Sequence, residues 1–162
     1  MVKKQFTHVD GVGRLRMVDV STKRPTRRTA EASCVVRTTA DPTALTPNEQ
    51  GVEPIHAARL AGVMAAKQTA DLIPLCHPLS LDDVDVVITP SARGLEVTSS
   101  VVTVHHTGVE MEALTACTVA ALSLVNALIK DDPFARVDDL ALLRKTGGRS
   151  GDWGRLVPPP LA

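Results

Sequence analysis

Apolar and polar positions change their spacing several times along the chain, and each change marks an expected element. Residues 32–39 (ASCVVRTT) predict a strand, after which Asp41-Pro42, Pro47-Asn48 and Gly51 punctuate a loop. From about 53 to 69 the pattern predicts a helix, with His56, Leu60, Val63 and Lys67 at helical spacing on one face. Residues 82–89 (DDVDVVIT) and 94–104 (GLEVTSSVVTV) predict a hairpin turned at Pro90 and Gly94. Residues 108–130 are rich in Ala, Leu and Met, and after Gly108 no Gly or Pro interrupts them until Pro133. This predicts a long helix, apolar nearly all round and therefore buried. Residues 136–144 (RVDDLALLR) predict a last strand, followed by the glycine-rich TGGRSGDWG and a proline-ended tail.

The order β-α-β-β-α-β predicts an α+β fold, a ferredoxin-like split β-α-β sandwich with an antiparallel sheet and two helices on one face. The chain reads as a single domain, 1–162, with a basic N-terminal arm over 1–30 and a Gly/Pro-rich tail over 146–162. Two helices cover only one face of such a sheet, so a second copy of the chain is expected against the other.

Charge narrows the partners. Lysine plus arginine and aspartate plus glutamate number 18 each, so no net field draws the chain to nucleic acid or an anionic membrane. Aromatics reduce to Phe6, Phe134 and Trp153, too few for base-stacking platforms. Three widely spaced cysteines, Cys34, Cys76 and Cys117, suit reduced thiols rather than a disulfide framework. The N-terminus MVKKQFTHVD lacks a leader pattern and no run of about 18 apolar residues is evident, so a cytoplasmic, non-membrane protein is expected.

Four segments carry candidate chemistry. Arg14, Arg16, Lys23, Arg24, Arg27 and Arg28 crowd the arm, where arginine forks match phosphate oxygens or simply meet solvent. GGRSG at 147–151, beside Lys145 and Arg149, offers either an anion nest or a mobile loop, and no Walker pattern accompanies it. Cys76-His77-Pro78 follows the first helix, stiffened by Pro74 and Pro78; with His105-His106 it makes zinc conceivable, but without finger spacing. Thr107 and Glu110 have capping-box spacing, a structural reason for Glu110 that Glu112 lacks. Glu112 could instead orient a cation or a guanine-like edge near the helix start.

LIPLCHPL (72–79), TGVEMEALTA (107–116), MVDVS (17–21) and TGGRSGD (146–152) resemble the molybdenum cofactor biosynthesis protein C family, the cyclic pyranopterin monophosphate synthases, from about Thr7 to Trp153. The resemblance implies a ferredoxin-like subunit, a homohexamer built as a trimer of dimers, and sites at subunit interfaces. It implies conversion of 3′,8-cyclo-7,8-dihydroguanosine 5′-triphosphate to cyclic pyranopterin monophosphate with release of pyrophosphate, a lyase reaction. No cofactor is implied, and a divalent metal such as Mg remains open. The resemblance assigns catalysis to the aspartate position now occupied by Asn126, to Lys67, to His77 and, by substitution, to Lys130. It assigns substrate binding to Leu75, Cys76, His77, Glu110, Met111, Glu112, Lys23, Arg28 and Lys145.

The chain departs from the family pattern at acid–base positions. Gly51-Val52-Glu53 stands where Lys-Gly-Asp is usual, Asn126-Ala127-Leu128-Ile129 where Asp-Met-Cys-Lys is usual, and His105-His106 precede Thr107-Gly108 where a lysine is usual. An amide cannot exchange a proton as a carboxylate does, and isoleucine is no acid. Lys130, four residues after Asn126, would share its helical face and stand in, and a histidine at 105 or 106 could supply a proton. Two alternatives to the synthase follow: a paralogue acting on a related purine or pterin phosphate, and a non-catalytic ligand-binding or partner subunit.

Overall fold

Small apolar side chains alternate with polar ones along Thr26–Arg37, and this segment, β1, is the central strand of a five-stranded antiparallel sheet. The computed structural model describes residues 8–41, 45 and 53–155. Among these, α1 (Pro54–Lys67), α2 (Thr69–Leu72), β2 (Asp83–Ser91), β3 (Gly94–His105), α3 (Glu110–Leu128), β4 (Arg136–Thr146) and β5 (Trp153–Gly154) follow β1. The sheet order is β2-β3-β1-β4-β5, the ferredoxin-like arrangement with a short fifth strand added at the β4 edge. Pro42, Pro47, Asn48 and Gly51, together with residues 1–7 and 156–162, lie outside the described residues.

β1 starts six residues before the expected strand. Its register with β3 runs back to Thr26 opposite His105, and with β4 to Thr29 opposite Thr146. Tertiary pairing thus overrides the polar sequence TRRT and lifts Arg28 out of the predicted basic arm onto the sheet. The preceding loop is ordered by Asp10, whose Oδ1 accepts from the N–H groups of Val12 (3.0 Å) and Arg14 (2.8 Å).

One face of β1 presents Ala30, Ala32, Cys34 and Val36, fully or almost fully buried beside Leu95, Val97 and Val101 of β3. Both long helices pack on this face, and α3 crosses β1, β3 and β4. The buried face of α1 is made by Ala58, Gly62, Ala65 and Ala66, while Leu60, on the face that the spacing of His56, Leu60, Val63 and Lys67 marks out, is 60% exposed. Packing distance decides this. A Cβ on Gly62 would lie 2.8 Å from the Ala116 carbonyl oxygen and 3.1 Å from the Ala120 Cβ, so α1 and α3 approach through small residues that larger side chains would hold apart.

α3 begins on Val109, which makes no side-chain cap, so Thr107 and Glu110 do not form the expected capping box. Lys130 stands beyond the end of α3 in the following turn, so the shared helical face expected for Asn126 and Lys130 does not extend that far. By length and composition α3 could cross a bilayer, contrary to the expectation that no such stretch exists. Its buried face of Ala113, Ala116, Cys117, Ala120 and Leu124 is instead the centre of the core. Cys34 and Cys117, both free thiols, meet there with Sγ atoms 3.3 Å apart. On the opposite face of the sheet Val87 and Val104 are 42% and 58% exposed.

Candidate active site

The topology brings five segments to one end of the sheet. They are the start of β1, the end of β3 with the turn after it, the first turn of α3, the end of β4 with its glycine loop, and the 73–79 loop after α2. Together with the N-terminal loop they enclose a cavity of about 550 Å³.

The segment LIPLCHPL forms a constrained wall. Leu75 sits at φ +67, a left-handed conformation that costs a non-glycine residue about 1–3 kcal/mol and persists where surroundings enforce it. Pro74 and Pro78 flank it, and the Cys76 N–H donates to the Ile73 carbonyl at 3.3 Å. The strained turn presents Leu75, Cys76 and His77 to the cavity.

The two carboxylates opposite differ in their surroundings. Glu110 accepts from Lys145 Nζ at 2.8 Å, and Lys145 also reaches Ser150 Oγ at 3.1 Å. The Glu110 carboxylate folds back over Gly108, where any Cβ would collide with it. Glu112 is only 5% exposed. Burial pushes its pKa up to about 7; a bond from its own backbone N–H opposes this and the Glu110 charge adds to it. A carboxyl near pH 7 in a cavity is suited to giving and taking protons. The Cys76 thiol is raised as well, first by burial and then by the charge of Glu112, so it is no activated thiolate.

Lys23, Arg28, Lys145 and Arg149 supply positive charge to the same cavity. Arg28 Nη2 donates to the His106 carbonyl at 3.3 Å, while its buried Nε has no partner among the described residues. Gly147 and Gly148, at φ +82 and +86, wrap this side chain: a Cβ on Gly148 would strike the Arg28 guanidinium, and one on Gly147 the Arg27 carbonyl. The glycine loop serves as a close-fitting cover for an arginine. As an anion nest it is partly occupied, because the Gly147 N–H donates to Asp152 Oδ1 at 2.8 Å.

Of the residues singled out in the sequence, Lys23, Arg28, Leu75, Cys76, His77, Glu110, Met111, Glu112 and Lys145 line the cavity. Lys67, in the last turn of α1, is exposed and outside the cavity wall. Asn126 and Lys130 lie towards the other end of α3, and the axial distance from Glu112 to Asn126 is about 21 Å. That far end is built around Asp132. Its Oδ2 accepts from Thr39 N (2.6 Å), Thr39 Oγ1 (3.0 Å) and Thr38 Oγ1 (2.9 Å), and its Oδ1 from Phe134 N (3.0 Å). These bonds, led by that from the Thr39 N–H, hold its pKa down at about 2.

His8 and Thr29 also line the cavity and carried no sequence signal. Val18 and Val20 do so as well; their spacing inside MVDVS puts both on one side of an extended segment, a signal that was available. Among the described residues no group of three or more His, Cys, Asp or Glu side chains could hold a metal ion.

Comparison with known proteins adds the lineage. The model of the MoaC family matches residues 17–148, most of the chain and every cavity wall except His8, Arg149 and Ser150. The chain belongs to the MoaC family. It is 46% identical over 153 residues to cyclic pyranopterin monophosphate synthase 2 of Mycobacterium tuberculosis, covering 93% of this chain and 92% of that protein. It is 47% identical over 154 residues to cyclic pyranopterin monophosphate synthase of Streptomyces coelicolor, covering 93% and 90%. The protein of that name from a Nocardioides species is 48% identical over 158 residues, covering 94% and 96%.

Proposed function

We propose that this chain is a cyclic pyranopterin monophosphate synthase of molybdenum cofactor biosynthesis. It converts 3′,8-cyclo-7,8-dihydroguanosine 5′-triphosphate to cyclic pyranopterin monophosphate and releases pyrophosphate. The observation that carries this is one cavity in which four cations converge with a buried carboxyl whose pKa is about 7. A triphosphate requires fixed cations, and Lys23, Arg28, Lys145 and Arg149 supply them. Rebuilding a purine ring into a pterin requires proton transfers, and Glu112 and His77 are placed to make them. Leu75, Cys76 and Met111 shape the wall against the ring system, and Glu110 fixes Lys145.

Asn126 and Lys130, too distant to reach the cavity of their own subunit, serve a neighbour's cavity in a homohexamer arranged as a trimer of dimers. The length of α3 supports this, as does the open face of the sheet. Lys67, exposed in the last turn of α1, completes the cationic rim on assembly. Residues 1–162 act as one domain in the cytoplasm, a setting consistent with three free thiols.

The replacements at 51, 126 and 129 favour a second possibility, a paralogue or a non-catalytic subunit that keeps the cavity and has lost the reaction. Expression of the chain in bacteria lacking their own synthase separates the two. Restored molybdoenzyme activity is expected from a synthase; a soluble, expressed chain that restores none would overturn the proposal.

A further inference from the structure

We propose that His106 is an acid–base residue at the phosphate end of the cavity, taking up the proton released when a substrate hydroxyl closes on the α-phosphorus. This rests on the synthase function above. His106 lines the cavity, and its Nδ1 lies 2.5 Å from the main-chain carbonyl of Lys23. A carbonyl oxygen only accepts, so Nδ1 carries the proton and the neutral ring keeps its free lone pair on Nε2. A base held in one tautomer by a third group is the arrangement that proton abstraction requires.

The surroundings place this base among the phosphates. Lys23, whose carbonyl holds the ring, and Arg28, which donates to the His106 carbonyl at 3.3 Å, are both cations of the cavity. Glu112 instead neighbours Cys76 on the wall of the 73–79 loop. His105 stands edge-on to His106 with ring centroids 5.0 Å apart. Other titratable groups face the cavity from His8 on the N-terminal loop, Cys76 and His77 on the 73–79 loop, and Glu110 and Glu112 on α3. β4 and the loop after it add Lys145, already paired with Glu110, and Arg149.

The step balances without a co-reactant. As the hydroxyl oxygen bonds to the α-phosphorus, its proton passes to Nε2. The bond from the α-phosphorus to the pyrophosphate oxygen breaks with its electron pair, pyrophosphate leaves, and Nε2 then releases the proton to water.

His106→Asn tests this, because the Asn amide keeps a donor for the Lys23 carbonyl but supplies no base. In single turnovers of the variant, pyrophosphate release should slow by about 10²-fold or more. Species that still carry three phosphates should accumulate, binding affinity should hold, and the histidine limb of the pH–rate profile for pyrophosphate release should vanish. In folded His106→Gly, added imidazole should return the rate, and this second variant decides the matter if His106→Asn fails to fold. Pyrophosphate release at the wild-type rate with the wild-type pH profile, or a folded His106→Gly that imidazole does not restore, would overturn the role of His106. A wild-type chain that releases no pyrophosphate would overturn the synthase function itself, and this role with it.

Discussion

The two ends of α3 treat a carboxyl group in opposite ways. At the N-terminal end Glu112 is buried with little hydrogen bonding, and its pKa rises to about 7. Just past the C-terminal end Asp132 is surrounded by donors from Thr38, Thr39 and Phe134, and its pKa falls to about 2. A carboxyl saturated with donors has a structural role, and Asp132 ties the end of β1 to the turn after α3. A carboxyl deprived of donors beside a cavity holds its charge at a cost, which structure alone does not repay. One helix therefore joins a reactive end to a fastened one. Asn126, where the family resemblance expects an acid, belongs to the fastened end.

The largest effect should come from the reactive end. His77→Ala should lower turnover by about 10²- to 10⁴-fold with ligand binding largely kept, measured by steady-state kinetics beside equilibrium binding. Unchanged turnover would remove His77 from the chemistry. The fastened end can be made reactive: Asn126→Asp combined with Ile129→Lys should raise turnover by about tenfold, within the range acid–base groups supply, if this end completes a neighbour's cavity. Sedimentation of the same variant should show the hexamer, and a monomer at micromolar concentration would remove the neighbour.

Glu112→Gln and Asp132→Asn sharpen the contrast through opposite pH signs. The folded pKa of Glu112 is raised, so the wild type is least penalised below pH 4.5 and loses stability as pH climbs towards about 7. Thermal melts should show Glu112→Gln gaining on the wild type across that window. The folded pKa of Asp132 is lowered, so its contribution is present above pH 3.8 and lost as pH falls through about 2. Asp132→Asn should melt below the wild type at neutral pH, with the gap closing in acid. Parallel pH responses for the two variants would break the comparison. The smallest effect falls mid-helix: Gly62→Ala should cost about 1–3 kcal/mol by overpacking α1 against α3, read from denaturant unfolding, with the cavity intact.

Much of this arrangement was legible in the sequence, and the failures have physical causes. Hydrophobic spacing located both long helices and four strands, because each carries a face that must be buried. It did not single out the buried face of α1, because Gly62 carries no hydrophobic signal, whereas close approach to Ala116 rewards the absence of a side chain. It missed the start of β1 because TRRT is polar and is held by pairing with β3 and β4. It missed β5, only two residues long. The 72–79 and 107–116 segments announced the cavity, since their side chains act within a few residues of one another. Their partners did not: the contacts of His106 with Lys23 and of Lys145 with Glu110 span the chain and exist only in the fold.

The most direct test is a single turnover with the purified chain in excess over 3′,8-cyclo-7,8-dihydroguanosine 5′-triphosphate, with pyrophosphate and pyranopterin measured in the same aliquots. Both products appearing together, well above the uncatalysed background, is the predicted result. Tight binding with neither product would contradict it and leave the cavity as a binding site alone.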